Sequence, residues 1–149
     1  MFSGGDGLKQ IVHAWVPHEA CTHYISLDKC ILLPYWIELK FTLLFRDDNG
    51  GLCDSGKKIT FTFESPVAVR YSEEADREDL IHADFFDEFS VAQGLVWPYF
   101  KVENSQFLQW QLDLNAAIGD PSELTCFGFT EEQYLFEILS SKDPGVKVD

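Results

Sequence analysis

The chain has 149 residues, 46% of them hydrophobic and 15% aromatic, a composition of folded globular proteins rather than disordered or fibrous ones. Its 11 Lys and Arg against 25 Asp and Glu leave a formal charge of −14. That charge excludes free-standing binding to DNA, RNA or an anionic membrane, because such binding needs cationic side chains to displace counterions. A domain of this length buries roughly 70% of the surface its unfolded chain exposes, so its core needs neither disulfide nor metal.

Met1 to Gly7 lacks the basic head and apolar run of a signal peptide, so a cytoplasmic protein with nothing removed from its start is expected. The next stretch alternates Ile11, His13 and Trp15 with Val12, Ala14 and Val16, breaks at Pro17, and resumes from Thr22 to Leu27. Two short strands are predicted there. The most apolar stretch, Ile31 to Phe45, is interrupted by Pro34, Glu38 and Lys40 and is shorter than the about 20 residues of a spanning helix. Within it Tyr35, Ile37, Leu39, Phe41, Leu43 and Phe45 alternate with Trp36, Glu38, Lys40, Thr42 and Leu44, the period of a half-buried strand.

Arg46 to Gly51 is a cluster of turn formers in which Asn49 and Gly50 tolerate positive φ, and it predicts a long hairpin loop. Ile59, Phe61 and Phe63 then alternate with threonines, and beyond Ser65-Pro66 the set Val67, Val69 and Tyr71 alternates with Ala68 and Arg70. Pro66 cannot donate to a ladder, so it marks a bend, bulge or edge. Acidic residues after Ser72, with Ile81, Phe85 and Phe89 on one stripe, suggest a helix. Val96 to Phe100 reads as an edge strand lining the core.

A second helix is predicted from Ser105 or Asn104 as cap, through Phe107, Leu108, Gln111, Leu112 and Leu114, to a stop at Gly119 and Pro121. Leu124–Phe129 and Tyr134–Leu139 flank Thr130 to Gln133 as a hairpin, and the tail from about residue 140 reads as turn and coil. The expectation is one domain over residues 1–149, of α+β class. It consists of a predominantly antiparallel twisted or partly closed sheet with one or two helices packed against it.

Chemistry-bearing groups are sparse. His13, His18, Cys21 and His23, with Glu19 among them, are residue types that bind zinc, but their spacing matches no zinc pattern and they read as polar groups at strand ends. The four cysteines form no Cys-x-x-Cys pair and read as buried free thiols, with a Cys21–Cys30 bridge as the alternative. Gly-x-Ser-x-Gly, a phosphate-binding glycine loop and an EF-hand are absent, so no cofactor is called for and no catalytic motif stands out.

Charge distribution carries more. Glu73, Glu74, Asp76, Glu78, Asp79, Asp84, Asp87 and Glu88 fall within sixteen residues whose one Lys or Arg is Arg77. Such a segment is either a solvated face or a site that steers a basic partner into contact. Trp36 lies on the polar face of the clearest strand, where it is either covered by the 105–117 helix or exposed as an interface anchor. The expected function is therefore a small acidic interaction domain that binds and neutralises a basic protein, a nucleic-acid-binding one included. In make-up the chain is similar to bacterial immunity proteins, a likeness of composition that involves no motif and carries over no residue. The alternative is a sheet-based pocket for an apolar ligand or an enzyme, lined by some of Phe41, Phe61, Phe63, Trp97 and Phe136.

Overall fold

A computed structural model describes residues 9–86, 97–115 and 120–149. The fold is α+β and antiparallel-dominated. Ten strands occur among the described residues: β1 (Ile11–Ala14), β2 (Tyr24–Leu33), β3 (Trp36–Arg46), β4 (Leu52–Glu64), β5 (Ala68–Glu73), β6 (Asp84–Phe85), β7 (Tyr99–Glu103), β8 (Thr125–Glu131), β9 (Tyr134–Ser140) and β10 (Gly145–Val148). One-turn helix α1 spans Glu78–Ile81 and α2 spans Gln106–Leu114. A four-stranded sheet has the order β10-β4-β3-β2, and a six-stranded sheet has the order β5-β9-β8-β7-β1-β6. All neighbours pair antiparallel except β1 and β6.

The two sheets pack face to face. Ile37, Leu39, Phe41, Leu43, Ile59, Phe61 and Phe63 meet Trp97, Tyr99, Phe127, Phe129, Phe136 and Ile138 in one buried cluster. A second cluster lies on the other side of the larger sheet, where α2 and the 80–85 segment bring Phe107, Leu80 and Ala83 onto Val12, Phe100, Val102, Cys126, Leu135 and Leu139. The larger sheet is thus covered on both faces, and its inner strands β8 and β9 are buried at nearly every position. The smaller sheet has one wet face and alternates cleanly, which is why β3 is the most legible element.

Local details correct several expectations. Tyr35 is 81% exposed because it forms the β2–β3 turn with a left-handed φ of 62°, and Phe45 is exposed beyond a β-bulge that breaks register after Thr42. The loop after β3 is tight rather than long. The Asp47 carboxylate accepts the Asn49 and Gly51 amides at 2.9 Å, and β4 begins at Leu52, its surplus residues taken up around left-handed Gly56. Ser65-Pro66 is a bend where the chain passes between sheets; Ser65 has φ 51° and its amide donates to the Tyr35 carbonyl at 2.8 Å.

The helix expected after Ser72 is instead the end of β5, a 3-10 turn at Glu74–Asp76, the single turn α1 and the short β6; Phe89 lies outside the described residues. β7 sits between β8 and β1 and is not an edge. Ser105 caps α2 as expected, its hydroxyl accepting the Leu108 amide at 3.1 Å. The helix ends at Leu114, short of the expected 117, and Gly119 is outside the described residues. Gly145–Val148, expected as coil, pairs with β4. Among the described residues, no helix is long and apolar enough to cross a membrane.

Candidate interaction surface

The surface is organised by a charge that cannot be left bare. Glu137 lies in the middle of β9 between Phe136 and Ile138, on the face opposite to theirs, and is 0% exposed. An isolated carboxylate at such a depth is strongly unfavourable unless paired and hydrogen-bonded. Two arginines supply the pairing. Arg70, opposite Glu137 in the β5–β9 register, donates from Nε at 2.9 Å and lies over the Phe107 ring. Arg77 reaches back after the 3-10 turn and clamps both carboxylate oxygens, one through Nη1 and the other through Nη2 at 3.2 Å.

Arg77 also holds Asp79 in a second fork, with Nε and Nη2 at 2.9 and 3.0 Å. Burial works against its charge, but the bonds to Asp79 and Glu137 outweigh it and raise the guanidinium pKa. The same competition, won by Arg77 and by Gln10 at 2.9 Å, lowers that of Asp79. Gln10 in turn accepts the Gln106 amide at the start of α2 at 2.8 Å, so one network ties together β5, β9, α1 and α2.

This arrangement sorts the acidic residues. Asp79 is spent inside the network, and Asp84 pairs with Lys9 at 3.2 Å on the surface. Glu73, Asp76 and Glu78 are exposed, and Glu74 is half-buried, with burial raising its pKa. Asp87 and Glu88 lie outside the described residues. Arg77, the one Lys or Arg of the segment, is turned inward and already neutralised. Trp36 is half-buried on the outer face of the smaller sheet. The α2 helix packs on the larger sheet and does not cover it, and Trp36 is not brought into the acidic network.

Beside the carboxylates stands an aromatic strip. β5 alternates as expected but with the opposite set inward: Ala68, Arg70 and Ser72 face the helices, while Val69 and Tyr71 are 36% and 52% exposed. Tyr71 stacks on Tyr134 and packs at a tilt against Phe136, with ring centroids 5.2 and 4.5 Å apart.

The other candidates go elsewhere. His13 meets Glu103 at 2.9 Å, the His18 ring nitrogen accepts the Ala20 amide at 3.0 Å, and His23 packs edge-on to Trp97 at 5.0 Å. Cys21 packs against the inter-sheet core, and no three His, Cys, Asp or Glu converge on a metal-sized space among the described residues. All four cysteines are free thiols; Cys126 alone is fully buried, Cys30 is exposed, and the Cys21–Cys30 bridge is not formed. Phe41, Phe61, Phe63, Trp97 and Phe136 fill the layer between the sheets, with Phe61 and Phe129 centroids 4.8 Å apart. None of the five lines the cleft of about 390 Å³ beside α2, whose walls include Val102, Leu108, Leu112 and Leu124.

Arg70, Glu137 and Gln10 are site-building residues that the sequence reading passed over. The available signal was Glu137 itself, a lone charge inside a continuous apolar run. Compared with protein-family models, with curated proteins and with solved structures, the chain matches none.

Proposed function

We propose that the chain is an interaction domain that binds, and by covering it neutralises, a basic protein partner. One observation carries this reading. The only Lys or Arg between residues 73 and 88 is folded inward onto Glu137 and Asp79, leaving Glu73, Asp76 and Glu78 facing solvent. The segment is held on the sheet by the Arg77 clamp, so its charges are presented from a fixed scaffold. Fixed like charges of this kind raise the encounter rate with a cationic surface, and the adjoining Tyr71 and Val69 supply apolar contact. Four free thiols support a reducing, cytoplasmic setting. The net charge of −14 supports a protein rather than a nucleic acid or an anionic membrane as target.

The test reverses Glu73, Asp76 and Glu78 to Lys. Asp79 is unsuitable because its loss would break the Arg77 network. Capture at low salt with wild type and triple variant, both verified as folded, should yield basic proteins that only the wild type retains. The same proteins retained by both would contradict the reading.

A further inference from the structure

Among the described residues, four strands end the two sheets: β5 and β6 in the larger, β10 and β2 in the smaller. Open edges attract further strands, and proteins blunt them with short length, bulges, lysines or prolines. β6 has two residues and β10 four, while β2 carries a bulge between Leu27 and Lys29 and presents that lysine. β5 has six residues, keeps its register against β9 from Ala68 to Glu73 and carries no lysine, and its one arginine is turned inward onto Glu137. The Val67 amide donates to the same Leu139 that Ala68 faces, so the chain bulges only where the strand begins. The Glu74 amide donates to the Gln133 carbonyl. By the two-residue alternation of an antiparallel ladder, positions 72, 70 and 68 bond to β9, and Val69, Tyr71 and Glu73 turn their N–H and C=O groups outward.

Those three residues also carry the exposed apolar strip and its first carboxylate. At the far end of β5 the Tyr35–Ser65 bond brings up the β2–β3 turn, where Leu32, Leu33 and Tyr35 are exposed. The open edge is therefore apolar at its Ala68 end and acidic at its Glu73–Glu78 end.

We infer that β5 accepts an extended segment of the partner as an added antiparallel strand, apolar where it passes Val69 and Tyr71 and cationic at its N-terminal end, which meets Glu73, Asp76 and Glu78. This rests on the reading of a basic partner and specifies how that partner is held. Charge complementarity selects the occupant. Pairing of two β5 strands would join chains that each carry −14, whereas a lysine-bearing strand answers the carboxylates. Main-chain bonds then supply affinity and the alternate side chains supply selectivity.

The probe is a synthetic peptide of three lysines followed by alternating valine and threonine, with a second version N-methylated at alternate residues so that its charge is kept and its pairing edge removed. In amide exchange of the full chain, saturating peptide should slow Val69, Tyr71 and Glu73 at least about ten-fold, with the N-methylated version leaving them unchanged. Val69→Pro, which deletes an outward N–H and no β9 bond, should weaken binding at least about ten-fold. Peptide binding that Asp76→Lys with Glu78→Lys abolishes but Val69→Pro and N-methylation leave intact would overturn the added strand while sparing the acidic reading. No peptide binding at low salt would overturn the added strand too, the acidic reading then standing or falling by its own capture experiment. A wild-type dimer in sedimentation, lost in Val69→Pro, would assign the edge to a second copy and overturn it as well.

Discussion

Arg77 and Glu137 meet as a buried two-pronged ion pair between β9, the strand beside the β5 edge, and an acidic segment that would otherwise have little to hold it. The pair is 60 residues apart in sequence. Its partners Arg70 and Asp79 complete the charge balance, two arginines to two carboxylates, so the network is neutral as a unit.

Removing one member leaves the others uncompensated. Arg77→Met should cost about 3–5 kcal/mol in urea denaturation, the usual penalty for breaking a buried pair. Amides from 74 to 86 should exchange faster than those of β8. A loss below about 1 kcal/mol would show that the segment is held by apolar contacts alone.

Phe100 covers Gly128 across the β7–β8 register, and a Cβ at Gly128 would come within 2.1 Å of its ring. Gly128→Ala should cost about 1–3 kcal/mol, the range for overpacking a filled core. In a Phe100→Leu background the same substitution should cost less, and a double-mutant cycle measures the coupling. Additive effects would refute the contact.

Two carboxylates give opposite pH signatures. Burial opposes ionisation of Asp79, but Arg77 and Gln10 bind the ionised form more strongly and its folded pKa is lowered. Its contribution is present above the ordinary carboxylate range and is lost as pH falls through the folded value. Asp79→Asn should therefore flatten the acid limb of the stability curve. Burial beside Glu132 raises the Glu131 pKa, against a bond from the Leu27 backbone. Its penalty on folding appears as pH rises through that raised value, so Glu131→Gln should stabilise at pH 7 and lose its advantage in acid. Equal pH dependence of both variants and wild type would contradict these assignments.

Helix α2 rests on its cap. Ser105→Ala should cost about 1 kcal/mol, read as a shift in denaturation midpoint; no shift would mean that the Ser105–Leu108 bond contributes nothing.

What the sequence made legible follows from which surfaces are wet. β3 alternates because one face of its sheet meets solvent, and the β8–β9 hairpin and the Ser105 cap are written in local residue types. The face of β5 was not readable. Val69 and Tyr71 look like core positions until Glu137, distant in sequence, draws Arg70 inward and leaves them outside. The acidic helix failed for a related reason. Arg77 gains more from a buried carboxylate pair than the segment would from continuing a self-repelling helix, and the chain bends to bring it there. Concentration of charge was visible in the sequence, whereas the inward turn of its one Lys or Arg depends on a long-range pair.

The most direct test is the salt dependence of association with a basic protein captured by the wild type. Between about 0.01 and 0.15 M salt the Debye length falls from about 30 to about 8 Å. The wild-type on-rate should drop steeply over that range, and the Glu73→Lys, Asp76→Lys, Glu78→Lys variant should associate slowly at both ends of it. On-rates and salt slopes that coincide for the two proteins would contradict an acidic docking surface at this segment.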